Sequence, residues 1–120
     1  MKNLLLLLLI IYSCSVENKT AGQYELVNNW PLVSPDVKFG NPTGLALNSN
    51  QNLVVFHRGS RSWQNPMPTE TIKENTILEI DTNSGKIINS WGSDIFIMPH
   101  GLEVDREGNI LSLIHISEPT

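Results

Sequence analysis

Beyond residue 40 the apolar residues come in short runs, each stopped by a cluster of Asn, Asp, Ser or Gly. Leu45-Ala46-Leu47 meets the polar turn Asn48-Ser49-Asn50-Gln51, and Asn52-Leu53-Val54-Val55-Phe56 follows. A third strand fits Thr76 to Ile80 and a fourth fits Lys86 to Trp91. Between those two lies Asp81-Thr82-Asn83-Ser84-Gly85, dense in residues that accept positive φ and so close tight turns. No window after the N-terminus sustains apolar residues at i, i+3 and i+4, and Gly, Pro or Asn interrupts every candidate helix. The body therefore reads as all-β.

The pattern also repeats. Pro42-Thr43-Gly44-Leu45-Ala46-Leu47-Asn48 precedes Asn52-Leu53-Val54-Val55-Phe56, and 57 residues later Pro99-His100-Gly101-Leu102-Glu103-Val104-Asp105 precedes Asn109-Ile110-Leu111. Four short strands per unit, repeated, are the signature of a β-propeller blade. The interval exceeds the usual blade of about 40–45 residues because residues 60–75 form an insertion after Gly59 ends the second strand. A loop this long inside a compact unit is either functional or disordered. Its Trp63, Pro66, Met67 and Pro68 favour a packed lid. A ring of six such blades takes on the order of 250 residues. The 120 residues here supply one blade and the start of another, so the chain is expected to be the opening portion of a longer protein and inactive alone. A partial ring leaves sheet edges open.

The first residues carry a different signal. Lys2 is followed by an unbroken apolar run from Leu4 to Ile11, then Tyr12, Ser13 and Cys14. A positive start and a short apolar stretch make a secretory signal, and the run falls short of the roughly 20 residues needed to span a bilayer. Small Ser13 before the lone Cys14 resembles a bacterial lipobox, although Tyr12 is bulkier than that pattern favours. The expectation is a signal peptide over 1–13, a lipid on Cys14 and a polar tether over 14–23. The mature protein is then held at the cell envelope, periplasmic or cell-surface, by the lipid anchor alone. An ordinary signal peptide cut a few residues later is the alternative. One cysteine excludes an internal disulfide.

Composition narrows the partners. Apolar residues make up 40% and charged ones 17%, as in packed globular chains. A formal net charge of −4 with no Lys/Arg cluster excludes a nucleic-acid partner, which needs a basic face.

Several stretches, in order, resemble the opening of peptidyl-α-hydroxyglycine α-amidating lyase. They are Asn41-Pro42-Thr43-Gly44, Val55-Phe56-His57-Arg58-Gly59, Thr76-Ile77-Leu78-Glu79-Ile80-Asp81, Ser90-Trp91-Gly92 and Met98-Pro99-His100-Gly101-Leu102-Glu103-Val104-Asp105. The likeness runs from about Tyr24 to Ile110, which marks 24–110 as the partial propeller. It implies an NHL-like six-bladed β-propeller that splits a peptidyl-α-hydroxyglycine into peptide amide and glyoxylate, with zinc and calcium as cofactors. His100 falls on the first of the family's three zinc-binding histidines. Imidazole nitrogen suits zinc, and three protein ligands leave a position for substrate or water. Arg58 falls on the catalytic arginine, whose guanidinium can grip a carboxylate and stays charged. Leu45 and Leu102 fall on positions whose main-chain carbonyls bind calcium, where the side chain is indifferent. Taken bare, His100 reads as a turn residue, Arg58 as a surface arginine ending a strand, and both leucines as core. His57, flanked by apolar residues, reads as structural.

The likeness stops after Ile110. Residues 111–120, Leu111 to Thr120, depart from the family's aromatic strand and read as a non-native tail, so His115 is assigned no role. Two other function classes stay open: a propeller that binds a ligand or partner without chemistry, and a propeller metallohydrolase, since fold does not fix function. Two further histidines, a tyrosine and an aspartate in later blades would favour the lyase.

Overall fold

Leu53-Val54-Val55-Phe56 is apolar at every position, as in a strand covered on both faces. In the computed structural model, which describes Gly22 and residues 24–114, this run becomes β2 (Leu53–His57) in a four-stranded antiparallel sheet. The order is β1 (Pro42–Leu47), β2, β3 (Ile77–Ile80) and β4 (Ile87–Trp91). A second antiparallel pair follows, β5 (Pro99–Val104) with β6 (Ile110–Ile114). Strands β1 to β5 lie where the sequence pattern puts them, β6 runs on past Leu111 to Ile114, and the described residues contain no helix. None is therefore long and apolar enough to cross a membrane. The arrangement, a four-stranded antiparallel sheet followed by a hairpin, is consistent with one blade of a propeller and the start of another; six blades and a closed ring are not among the described residues. Signal peptide, Cys14, His115 and all of the tether except Gly22 also lie outside them.

Alternation along the strands builds two cores. Val54, Phe56 and Ile77 face one way, where Trp91, Phe96, Leu102, Val104 and Ile110 pack on them. Phe96 meets Phe56 edge-on at 4.8 Å, a favoured aromatic geometry. Val55, Leu78 and Ile80 face the other way, under Trp30, Val37, Leu53 and Ile87. The second hairpin thus covers one face of the blade, and the segment leading into β1 covers the other. That segment is fastened by the Leu32 N–H, which donates to the Gly85 carbonyl at 2.8 Å.

The two hairpin turns are copies. The Asn48 N–H donates to the Asn52 carbonyl at 3.0 Å and the Asp105 N–H to the Asn109 carbonyl at 3.0 Å. The Asn48 side chain accepts from the Asn52 N–H at 3.0 Å, as Asp105 does from the Asn109 N–H at 2.7 Å. β6 runs through Leu111 to Ile114, the first part of the stretch that departs from the family pattern. Ladder pairing is a main-chain matter, and apolar alternation is enough to bring those residues into it.

Candidate functional site

The strands along which the two units meet, β1 and β5, here termed the inner strands, carry the same irregularity. Pro42 pairs with His57 and Gly44 with Phe56, which leaves Thr43 as an extra residue. Pro99 pairs with Ile114 and Gly101 with Leu113, which leaves His100 as the extra one. A bulge bends its strand and re-aims the side chain it carries. Thr43 uses that freedom to donate its hydroxyl to the Phe56 carbonyl at 3.2 Å. His100, at the matching place, is exposed.

Arg58 stands directly after β2, and its Nε donates to the Pro99 carbonyl at 3.1 Å. The guanidinium therefore lies against the peptide unit that joins Pro99 to His100. With Nε engaged there, the Nη1/Nη2 edge can present a two-pronged fork to an anion. The insertion reaches the same place: the Trp63 ring lies edge-on to His100, centroids 6.3 Å apart. The end of β2 and the insertion that follows it thus converge on the bulge of β5, 37 or more residues further along the chain. The insertion is tied down at its far end by Ile72, which is buried. Its N–H donates to the Phe96 carbonyl and its carbonyl accepts from the Asp94 N–H, both at 2.8 Å. A cleft of about 360 Å³ between Ser60, Arg61, Gln64, Glu70 and Glu74 belongs to the insertion and is not lined by Arg58 or His100.

The two leucines share a place between the units. A Cβ built on Gly44 would fall 2.5 Å from the amide nitrogen of Leu102 and 2.8 Å from its Cβ, so β1 and β5 meet main chain to main chain. Leu45 itself is exposed, and Leu102 packs on the first core. His100 offers the nitrogen donor that zinc favours, and the strand carbonyls are oxygen donors of the kind calcium takes. Among the described residues no group of three or more His, Cys, Asp and Glu stands together to hold a metal ion.

His57 bears out its reading as a structural residue. It is fully buried. Its Nδ1 accepts from the Gly59 N–H at 3.0 Å and from the Gly40 N–H at 3.3 Å. Phe39 lies over the ring at 5.0 Å, and Nε2 is buried without a hydrogen-bonding partner among the described residues. Burial holds its pKa below the ordinary histidine value, against the smaller opposing pull of the Glu74 carboxylate and the Asn75 main chain. An apolar flank on one side and Arg58-Gly59 on the other was the available signal, and it reads equally as packing.

No family model matches the chain. Among curated proteins, the chain is 41% identical over 91 residues to peptidyl-glycine alpha-amidating monooxygenase B of Xenopus laevis, covering 68% of this chain and 10% of that protein. It is 40% identical over 94 residues to peptidyl-alpha-hydroxyglycine alpha-amidating lyase 2 of Drosophila melanogaster, covering 70% and 23%. To a probable peptidyl-alpha-hydroxyglycine alpha-amidating lyase of Caenorhabditis elegans it is 34% identical over 86 residues, covering 65% and 25%. The chain thus spans a tenth to a quarter of the length of these relatives. The matches support the family likeness carried by the motifs. All three relatives are animal proteins, and the bacterial source suggested by the lipobox-like start finds no support in them.

Proposed function

We propose that this chain forms the opening part of a six-bladed lyase that cleaves a peptidyl-α-hydroxyglycine into peptide amide and glyoxylate. The observation that carries the reading is Arg58 bonded to the Pro99–His100 peptide unit at 3.1 Å, within a region 40% identical to a protein named for that activity. In this reaction the α-hydroxyl gives up its proton, its oxygen becomes the glyoxylate aldehyde, the bond between nitrogen and α-carbon breaks, and the nitrogen takes a proton. The departing fragment keeps its carboxylate throughout. Arg58 binds that carboxylate through its Nη edge and so fixes the α-carbon beside His100. Trp63 offers the peptide an apolar wall on the same side. His100 is proposed as one zinc ligand, and the carbonyls of Leu45 and Leu102 as two calcium ligands, the remaining ligands coming from later blades. Zinc bound there supplies a Lewis acid for the hydroxyl oxygen.

The same reading takes residues 1–13 as a signal and Cys14 as the lipid carrier, which places the enzyme at the cell envelope. In the full-length protein, His100→Ala is expected to lose zinc and glyoxylate release together. Arg58→Ala keeps zinc and loses roughly 10- to 100-fold in kcat/KM, largely through KM, since the carboxylate it grips is present from substrate to product. Cys14→Ser leaves the membrane fraction. Full zinc content and full activity in His100→Ala would remove that residue from the site, and metal and peptide binding without glyoxylate would favour the binding propeller.

A further inference from the structure

We propose that His57 is a positioning residue for Arg58: its Nδ1 gathers main-chain donors from both sides of a chain crossing and thereby fixes where the guanidinium lies. The kinetic side of this inference rests on the lyase reading. The geometric side does not.

A polar ring with no exposure at the end of β2 costs more to bury than an apolar ring of the same size. Its Nε2 has no hydrogen-bonding partner among the described residues, which adds to the cost. A phenyl ring would fill the space and avoid both. What it would lack is the acceptor at Nδ1, which receives the Gly59 N–H at 3.0 Å and the Gly40 N–H at 3.3 Å. Those donors belong to segments that cross at contact: a Cβ on Gly40 would fall 1.9 Å from the Gly59 carbonyl oxygen. Arg58 sits inside the crossing. Its N–H donates to the Asn41 carbonyl at 3.1 Å, and its carbonyl accepts from the Arg61 N–H at 2.8 Å. With the main chain held on both sides, the side chain leaves in one direction, toward the Pro99 carbonyl. Accepting two donors at Nδ1 requires that nitrogen to be unprotonated, and burial, which keeps the ring neutral, serves that requirement.

Three substitutions separate this role from space filling. Phe keeps the ring and removes the acceptor. Asn keeps an acceptor at the δ position and gives up the ring. Gln moves the amide out to the ε position. In the full-length protein, amide exchange at Gly40 and Gly59 and exchange of the Arg58 Nε proton are read by NMR, beside kcat/KM for glyoxylate release. His57→Phe is expected to speed all three exchange rates at least tenfold and to lower kcat/KM at least tenfold. His57→Asn should recover most of both, even with a lower thermal midpoint, while His57→Gln should behave like Phe. Should Phe match wild type, or Asn do no better than Phe, His57 only fills space and the proposal falls. If wild type releases no glyoxylate, the lyase reading falls, and the order of exchange rates still decides the role of His57.

Discussion

His57 and Arg58 are neighbours in sequence and sit in opposite surroundings: one fully buried, the other half-exposed against the Pro99 carbonyl. That contrast has a consequence for pH. Burial lowers the pKa of His57 from 6.5, so between 6.5 and the lower folded value the unfolded chain binds a proton that the folded chain refuses. Stability from this residue is complete above the unfolded value and declines as pH falls toward the folded one. Urea unfolding at pH 8 and pH 5 should therefore show a larger loss in the wild-type protein than in His57→Asn. Equal losses would mean that His57 titrates alike in both states. The family pattern pointed to Arg58 and His100, and the strands at which they stand were legible in the sequence. The bulge that singles out His100 was not, because a bulge is a property of pairing register, visible only once Pro99 and Gly101 have found Ile114 and Leu113. The structural character of His57 was legible from its apolar flank, but its partners were not, since Phe39 and Gly40, which enclose it, lie 17 or more residues away.

At the scale of elements the hairpin turns carry the clearest message, because the two copies differ at one informative place. Gln51 and Gly108 occupy matching positions, and both have positive φ, 63° and 87°. Glycine takes that conformation freely, whereas a residue with a Cβ gives up about 1–2 kcal/mol. The main-chain bonds around Gln51 do not depend on its side chain: its N–H donates to the Asn48 carbonyl at 2.9 Å and its carbonyl accepts from the Thr82 hydroxyl at 3.0 Å. Gln51→Gly should raise the unfolding free energy by about 0.5–1 kcal/mol, the relief being partly offset by the added entropy of an unfolded glycine. Denaturant titration checks it, and a loss of stability would show that the Gln51 side chain makes a stabilising contact of its own. The turns were legible because Asn, Asp and Gly act locally. The course of residues 60–75 was not. Its aromatic and proline content announced packing, but Trp63 against His100 and Ile72 against Phe96 are long-range pairings that no local preference encodes.

Across the whole molecule, the 57-residue interval from Pro42 to Pro99 revealed two units, and apolar runs on both faces of β2 showed that something covers each. How the units dock was not legible, because it turns on a main-chain approach. The Cβ of an alanine at position 44 would lie 2.5 Å from the Leu102 amide nitrogen, and neither inner strand can give way without breaking its own ladder. Gly44→Ala should therefore lever β5 and β6 off the first core and cost about 1–3 kcal/mol, as overpacking does. At Gly101, the matching residue, the nearest atoms among the described residues belong to the Leu113 side chain, at 3.5 Å and beyond, which is ordinary contact. In the 120-residue chain Gly101→Ala should be nearly silent. If a third inner strand lies against β5 as β5 lies against β1, the same substitution in a longer protein carrying the next blade should cost as much as Gly44→Ala. Unfolding midpoints for both variants at both lengths test the repeat directly. Equal costs in the short chain, or a silent Gly101→Ala in the longer protein, would mean that the contact between inner strands belongs to this one pair and does not recur around an axis.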